Sequence, residues 1–96
     1  MDILTLAKAA EPHIIDLRRD LHRHPELSWQ EVRTTEVVAA ELAALGIPTR
    51  RFEGRTGVLG TLKGRAGAGG KTLLLRADID ALPIQENTGL SFASEN

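Results

Sequence analysis

The stretch Lys71-Thr72-Leu73-Leu74-Leu75-Arg76-Ala77-Asp78-Ile79-Asp80-Ala81-Leu82-Pro83 decides the fold class. Its first seven residues form a nearly continuous apolar run, the pattern of a strand covered on both faces in the central sheet of an α/β domain. Two carboxylates, Asp78 and Asp80, follow at the C-terminal end of that strand, the edge where open α/β sheets bind ligands. In extended backbone they point to the same side, roughly 6.6 Å apart along the chain. Ionised carboxylates this close repel, so a cation between or beside them relieves a real cost. Such a pair suits one carboxylate near a cation and another orienting a neighbouring ligand. Arg76 shares their face and is itself a candidate for the cation. The competing reading is local: the pair caps a turn, with Pro83 ending the strand region. Two carboxylates alone are too few to make a metal site.

Upstream of the run, Gly64-Arg65-Ala66-Gly67-Ala68-Gly69-Gly70 lacks the Gly-Lys-Ser/Thr ending and the following helix of a phosphate loop, and reads as a hairpin connection. Gly57 to Lys63 reads as a strand, and Thr49 to Glu53 as a short edge strand carrying two arginines. Before them, the spacing of Val32, Thr35, Val38, Leu42 and Leu45 predicts a helix over 29–45. Ser28-Trp29-Gln30-Glu31 matches a capping box, with Leu27 and Val32 placed as a hydrophobic staple. Gly46, then Ile47-Pro48, supplies the stop. A first helix over 3–22 follows from the stripe Ile3, Leu6, Ala10, Ile14, Leu17 and Leu21. Lys8, Glu11, Arg18 and Arg19 lie on its opposite face. Pro12 either kinks it or starts its second part, and Pro25 ends it near His24.

Ninety-six residues suffice for one small domain. At 42% hydrophobic and 26% charged, the chain falls with ordinary globular proteins. Only Trp29, Phe52 and Phe92 are aromatic, so part of the hydrophobic partner surface is expected elsewhere. The net charge of −1 offers no field for nucleic acid or anionic lipid. The basic stretch Arg50, Arg51 and Arg55 is interrupted by Glu53, lacks an aromatic platform, and reads as solvated surface. With no cysteine there is neither a disulfide framework nor a Cys-based zinc site. Neither a signal peptide nor an apolar run long enough for a membrane span is visible, so the expected compartment is cytoplasmic.

His22 and His24 flank a helix end close to Glu26. Capping and packing between helices, favoured by the exposed carbonyls there, competes with metal ligation as their role. His13 reads as a half-exposed side chain in mid-helix. No cysteine or Gly-x-Ser-x-Gly serine offers a nucleophile.

Leu17-Arg18-Arg19-Asp20-Leu21-His22-Arg23-His24-Pro25-Glu26-Leu27 resembles the opening of the amidohydrolases related to hippurate hydrolase, N-acyl-L-amino-acid amidohydrolase and indole-acetyl-amino-acid hydrolase. Thr56-Gly57-Val58, Leu75 to Glu86, Thr88-Gly89-Leu90 and Phe92-Ala93-Ser94 continue the likeness in order. These enzymes fall in the wider aminoacylase and carboxypeptidase group of two-domain metallohydrolases. The resemblance implies an α/β, zinc-exopeptidase-like catalytic domain, of which residues 1–96 would be the N-terminal part: two helices followed by strands of an incomplete central sheet. The remainder of that domain and a lid domain that mediates dimerisation would lie outside the chain.

The implied activity is hydrolysis of the amide bond of small N-acyl amino acids by water activated at a divalent metal pair, of zinc, manganese, cobalt or nickel, in a homodimer. The wider group carries His-x-Asp at this strand end, the His binding metal and the Asp orienting a ligand. Asp78 occupies the His position, where this chain departs from the group, and its carry-over as a metal ligand does not follow. Asp80 occupies the Asp position and inherits the orienting role. The main metal ligands, including a Cys-Gly-His-Asp segment, and the general base, a glutamate, are expected beyond Asn96, so residues 1–96 alone are expected to be inactive. The ending Ser91 to Asn96 reads as a cut. The alternative from another class is a non-catalytic remnant, or a small interaction module using its sheet edge.

Overall fold

The computed structural model describes residues 2–65, 69–82 and 84–95. Two helices precede two antiparallel strands: α1 (Ile3–Arg23), α2 (Val32–Ala44), β1 (Thr49–Arg51) and β2 (Val58–Gly60). This is the expected order of helices followed by strands. The chain divides into two compact units, one of Met1–Pro25 with Leu82–Asn96 and one of Glu26–Ala81.

In the first unit, Asp2 opens α1, its carboxylate accepting from the Leu4 amide at 3.3 Å and the Thr5 hydroxyl at 3.4 Å. Pro12 sits inside an unbroken helix. His24 closes it, its amide bonded to the Leu21 carbonyl at 3.2 Å. The apolar stripe is present but largely uncovered: Leu17 and Leu21 are half-buried, whereas Ile3 is 81% exposed. Arg19, from the face opposite the stripe, and Arg23 hold the 84–95 segment. Arg19 stacks 4.5 Å from the Phe92 ring centre, and Arg23 donates to the Ser91 carbonyl at 3.4 Å.

In the second unit, α2 packs on both strands. Its end follows the expected chemistry closely. Gly46 adopts φ +74°, its amide bonds Ala43 at 2.9 Å, and the Ile47 amide reaches back to Leu42 at 3.0 Å. This paired pattern at a left-handed residue is a Schellman stop. It brings Ile47 and Leu42 together over Gly60, where an added Cβ would lie 3.1 Å from Ile47 Cγ2 and 3.2 Å from Leu42 Cδ1. A Gly46→Ala substitution meets no atom within 4 Å, so its cost is the backbone conformation alone. The expected loss is about 1 kcal/mol, read as a lower denaturation midpoint. An unchanged midpoint would contradict the left-handed stop.

The start of α2 differs from the expectation. Glu31 takes the N-cap position without a side-chain cap bond, and the helix begins at Val32. Ser28 and Trp29 form a turn with Trp29 at φ +67°, and the Gln30 amide bonds the Leu27 carbonyl at 2.9 Å. A left-handed residue between Ser28 and Glu31 prevents the capping box from closing. The staple is absent too: Leu27 and Val32 are both exposed.

The strands are shorter than expected. Their register is Thr49 to Gly60, Arg50 to Leu59 and Arg51 to Val58. Lys71–Ala77 forms no strand, and Leu73 and Leu75 are 83% and 85% exposed. An interior strand needs ladder partners on both sides; here β1 and β2 pair with each other, and no described residue offers 71–77 a ladder. The expected hairpin between Gly57–Lys63 and Lys71–Ala77 is likewise not formed; its central residues Ala66–Ala68, like Pro83, lie outside the described residues.

Candidate active site

The turn that displaces the capping box builds a pocket. It has a volume of about 430 Å³ and is lined by Ser28, Trp29, Glu31, Thr56, Gly57 and the run Arg76 to Asp80. Both sequence-derived candidates, Asp78 and Asp80, therefore face one cavity within the second unit. Their surroundings separate them. Asp78 Oδ1 lies 2.7 Å from Arg76 Nη2, with both side chains largely exposed. This is the cation the sequence offered for the pair.

The opposite wall hangs from the start of α2. The Thr56 hydroxyl donates to Glu31 Oε1 at 2.8 Å, and this bond is the main reason the Glu31 carboxyl sits below the usual carboxylate range. Glu31 is nevertheless only 8% exposed. The Thr35 hydroxyl donates to the Glu31 carbonyl at 2.6 Å and accepts from the Gly57 amide at 2.9 Å. One buried threonine thus fixes the Thr56–Gly57 segment against the helix.

The cap that Ser28 does not provide comes from Glu26. Its carboxylate accepts from the Arg33 amide at 3.0 Å, the Thr34 amide at 2.6 Å and the Thr34 hydroxyl at 2.7 Å. Burial alone would raise its pKa, but the Thr34 hydroxyl, the two amides and the nearby Arg33 charge together hold it below the usual value. An anion here meets the unsatisfied amides and positive end of the helix. Glu26, Glu31 and Thr35 carry no local sequence signal for these roles, because Glu26 and Glu31 reach partners 7 to 25 positions away.

The histidines belong to the first unit. His22 Nε2 lies 2.5 Å from Glu86 Oε1. The Thr88 hydroxyl, first, and His22, second, draw the Glu86 carboxyl below its usual value. His24 Nδ1 lies 3.0 Å from the Asp20 carbonyl and its Nε2 3.3 Å from Glu95. The His24 ring meets a carbonyl at the helix end, in keeping with the expected capping, and both rings hold the 84–95 segment, where packing between helices had been the other part of the expectation. Of the basic stretch, Arg51 forms a two-pronged pair with Glu36, one prong at 2.9 Å. Arg55 lies 5.8 Å over the Trp29 ring.

A divalent metal does not fit the donors present. Asp78 already contacts Arg76 in an exposed ion pair. Among the described residues no three His, Cys, Asp or Glu side chains converge, whereas zinc takes about four ligands.

Fold and pocket together give part of an α/β domain with a carboxylate-lined pocket. Comparison with known proteins identifies the family. The chain is 43% identical over its whole length to a probable hydrolase of Synechocystis, spanning 24% of that protein. It is 46% identical over 93 residues to N-acetylcysteine deacetylase of Bacillus subtilis, spanning 23% of it. It is 39% identical over 95 residues to N-acyl-L-amino acid amidohydrolase of Geobacillus stearothermophilus, spanning 25% of it. In structure, it resembles the Bacillus subtilis YxeP protein, described as a dinuclear metal binding peptidase from the M20 family. That match has TM-score 0.83 and 48% identity over 93% of this chain and 25% of the other. No family model matches the chain. The chain belongs to this family of amidohydrolases, deacetylases and metallopeptidases, and spans about a quarter of the length of the relatives it matches.

Proposed function

We propose that residues 1–96 are the N-terminal part of the catalytic domain of a metal-dependent amidohydrolase that cleaves the amide bond of small, hippurate-like N-acyl amino acids. The observation that carries this reading is the pocket in which Asp78 and Asp80 face Glu31 and Thr56, on a chain 39% to 46% identical to enzymes named for deacetylation and N-acyl amino acid hydrolysis.

Within this reading, Asp80 accepts a hydrogen bond from a side chain supplied by the rest of the protein and fixes its direction. Asp78 stays with Arg76. Zinc, manganese, cobalt or nickel is held by residues outside 1–96, and a glutamate outside the chain moves the proton. The complete enzyme is a cytoplasmic homodimer joined through its lid domain. The near-neutral charge supports a small-molecule substrate over nucleic acid, and no described helix is long and apolar enough to cross a membrane.

Reading the coding sequence past codon 96 tests this. A continuous frame encoding a Cys-Gly-His-Asp segment is expected. A stop codon at that point would sink the enzyme reading and leave a non-catalytic module.

A further inference from the structure

We propose that Glu26 is a positioning residue for Asp80, acting through the backbone amide of Ala81. This rests on the role given to Asp80 above. Glu26 makes two kinds of tie at once. Its carboxylate is fixed to the first turn of α2 by three hydrogen bonds, from Arg33 N, Thr34 N and the Thr34 hydroxyl. Its main-chain carbonyl accepts the Ala81 amide at 2.8 Å. Ala81 directly follows Asp80, in a stretch that belongs to neither strand. The Asp80 segment therefore lacks a sheet ladder to set its place, and the Glu26 carbonyl provides an anchor.

The anchor is stiff because the side chain of the same residue is immobilised. Thr34 is buried at 4% exposure and presents both its amide and its hydroxyl to one carboxylate oxygen. Charge-assisted bonds of this kind are shorter and stronger than neutral ones. The same helix start holds the facing wall through Thr35 and Gly57. Both walls of the pocket are thus referenced to one rigid helix end. A displacement of about 1 Å in a positioning group can cost roughly 100-fold in rate, so loosening Glu26 reaches the chemistry without touching substrate.

The test is a double-mutant cycle in the complete enzyme with an N-acetyl amino acid as substrate. Glu26→Gln keeps the side-chain length but turns an NH2 donor toward a backbone N–H. It is expected to lower kcat about tenfold, with KM changed less than about twofold. Combined with Asp80→Asn, it is expected to add less than about twofold to the loss from Asp80→Asn alone, since both act through one group. Glu36→Gln removes a different tie of α2, to Arg51, and leaves kcat unchanged. A readout independent of turnover is amide exchange at Ala81, which speeds in Glu26→Gln and not in Glu36→Gln.

If Glu26→Gln fails to fold, Thr34→Val removes one of the three bonds, with a smaller kcat loss and the same non-additivity expected. Full multiplication of the two effects, an unchanged kcat, or an unchanged Ala81 amide overturns the proposal. An Asp80→Asn enzyme with full activity is a different result: it overturns the role of Asp80 itself.

Discussion

Asp80→Asn in the complete enzyme is expected to lower kcat by about 10- to 100-fold, the range for losing a carboxylate that orients a catalytic ligand. Asp78→Asn is expected to stay within about threefold of the parent, because an exposed ion pair contributes little. The difference follows from the pocket. Asp78 is already satisfied by Arg76, at 2.7 Å, whereas Asp80 lines the same cavity beside the amide that Glu26 anchors. Asparagine keeps the size of each side chain and removes its charge, so folding is little disturbed. Steady-state kinetics of the two variants side by side decide the matter. Equal losses, or a larger loss at Asp78, would reverse the assignment.

Glu26→Ala is expected to destabilise the chain by about 2 kcal/mol, a helix cap lost together with buried donors left unmet. Chemical denaturation at neutral pH measures this directly. The pH dependence has a definite sign. The folded Glu26 carboxyl lies below its ordinary value of 4.5, so the unfolded chain takes up its proton first as acid is added. Its contribution is fully present above that ordinary value and is lost as pH falls through the lower folded value. Glu31 and Glu86 shift the same way, so stability falls in acid from several sites. The Glu26→Ala chain is expected to show a shallower fall. An equally steep acid profile in parent and variant would contradict the cap.

Helical periodicity made both helices legible. The Gly46-Ile47-Pro48 stop was readable to the residue because a left-handed C′ glycine acts through its immediate neighbours. The start of α2 was not. Ser28 to Glu31 has the composition of a capping box, but Trp29 turns left-handed and Glu31 instead engages Thr56, 25 positions on. Local patterns cannot weigh so distant a competitor. Leu73–Leu75 has the composition of a buried strand, but hydrophobicity does not create a ladder partner. At the site, Asp78 and Asp80 were visible from their place after the apolar run. Glu26, Glu31, Thr35 and Thr56 took on meaning only once the fold joined the helix start to the Asp80 segment.

The most direct test of the central claim is hydrolysis of N-acetyl amino acids by the complete protein and by residues 1–96, before and after chelation. The complete protein is expected to turn over substrate, to lose activity on chelation and to regain it with added zinc, manganese, cobalt or nickel, while 1–96 shows neither turnover nor tight metal binding. Turnover that survives chelation, or stoichiometric zinc or manganese retained by 1–96 after dialysis, would contradict it.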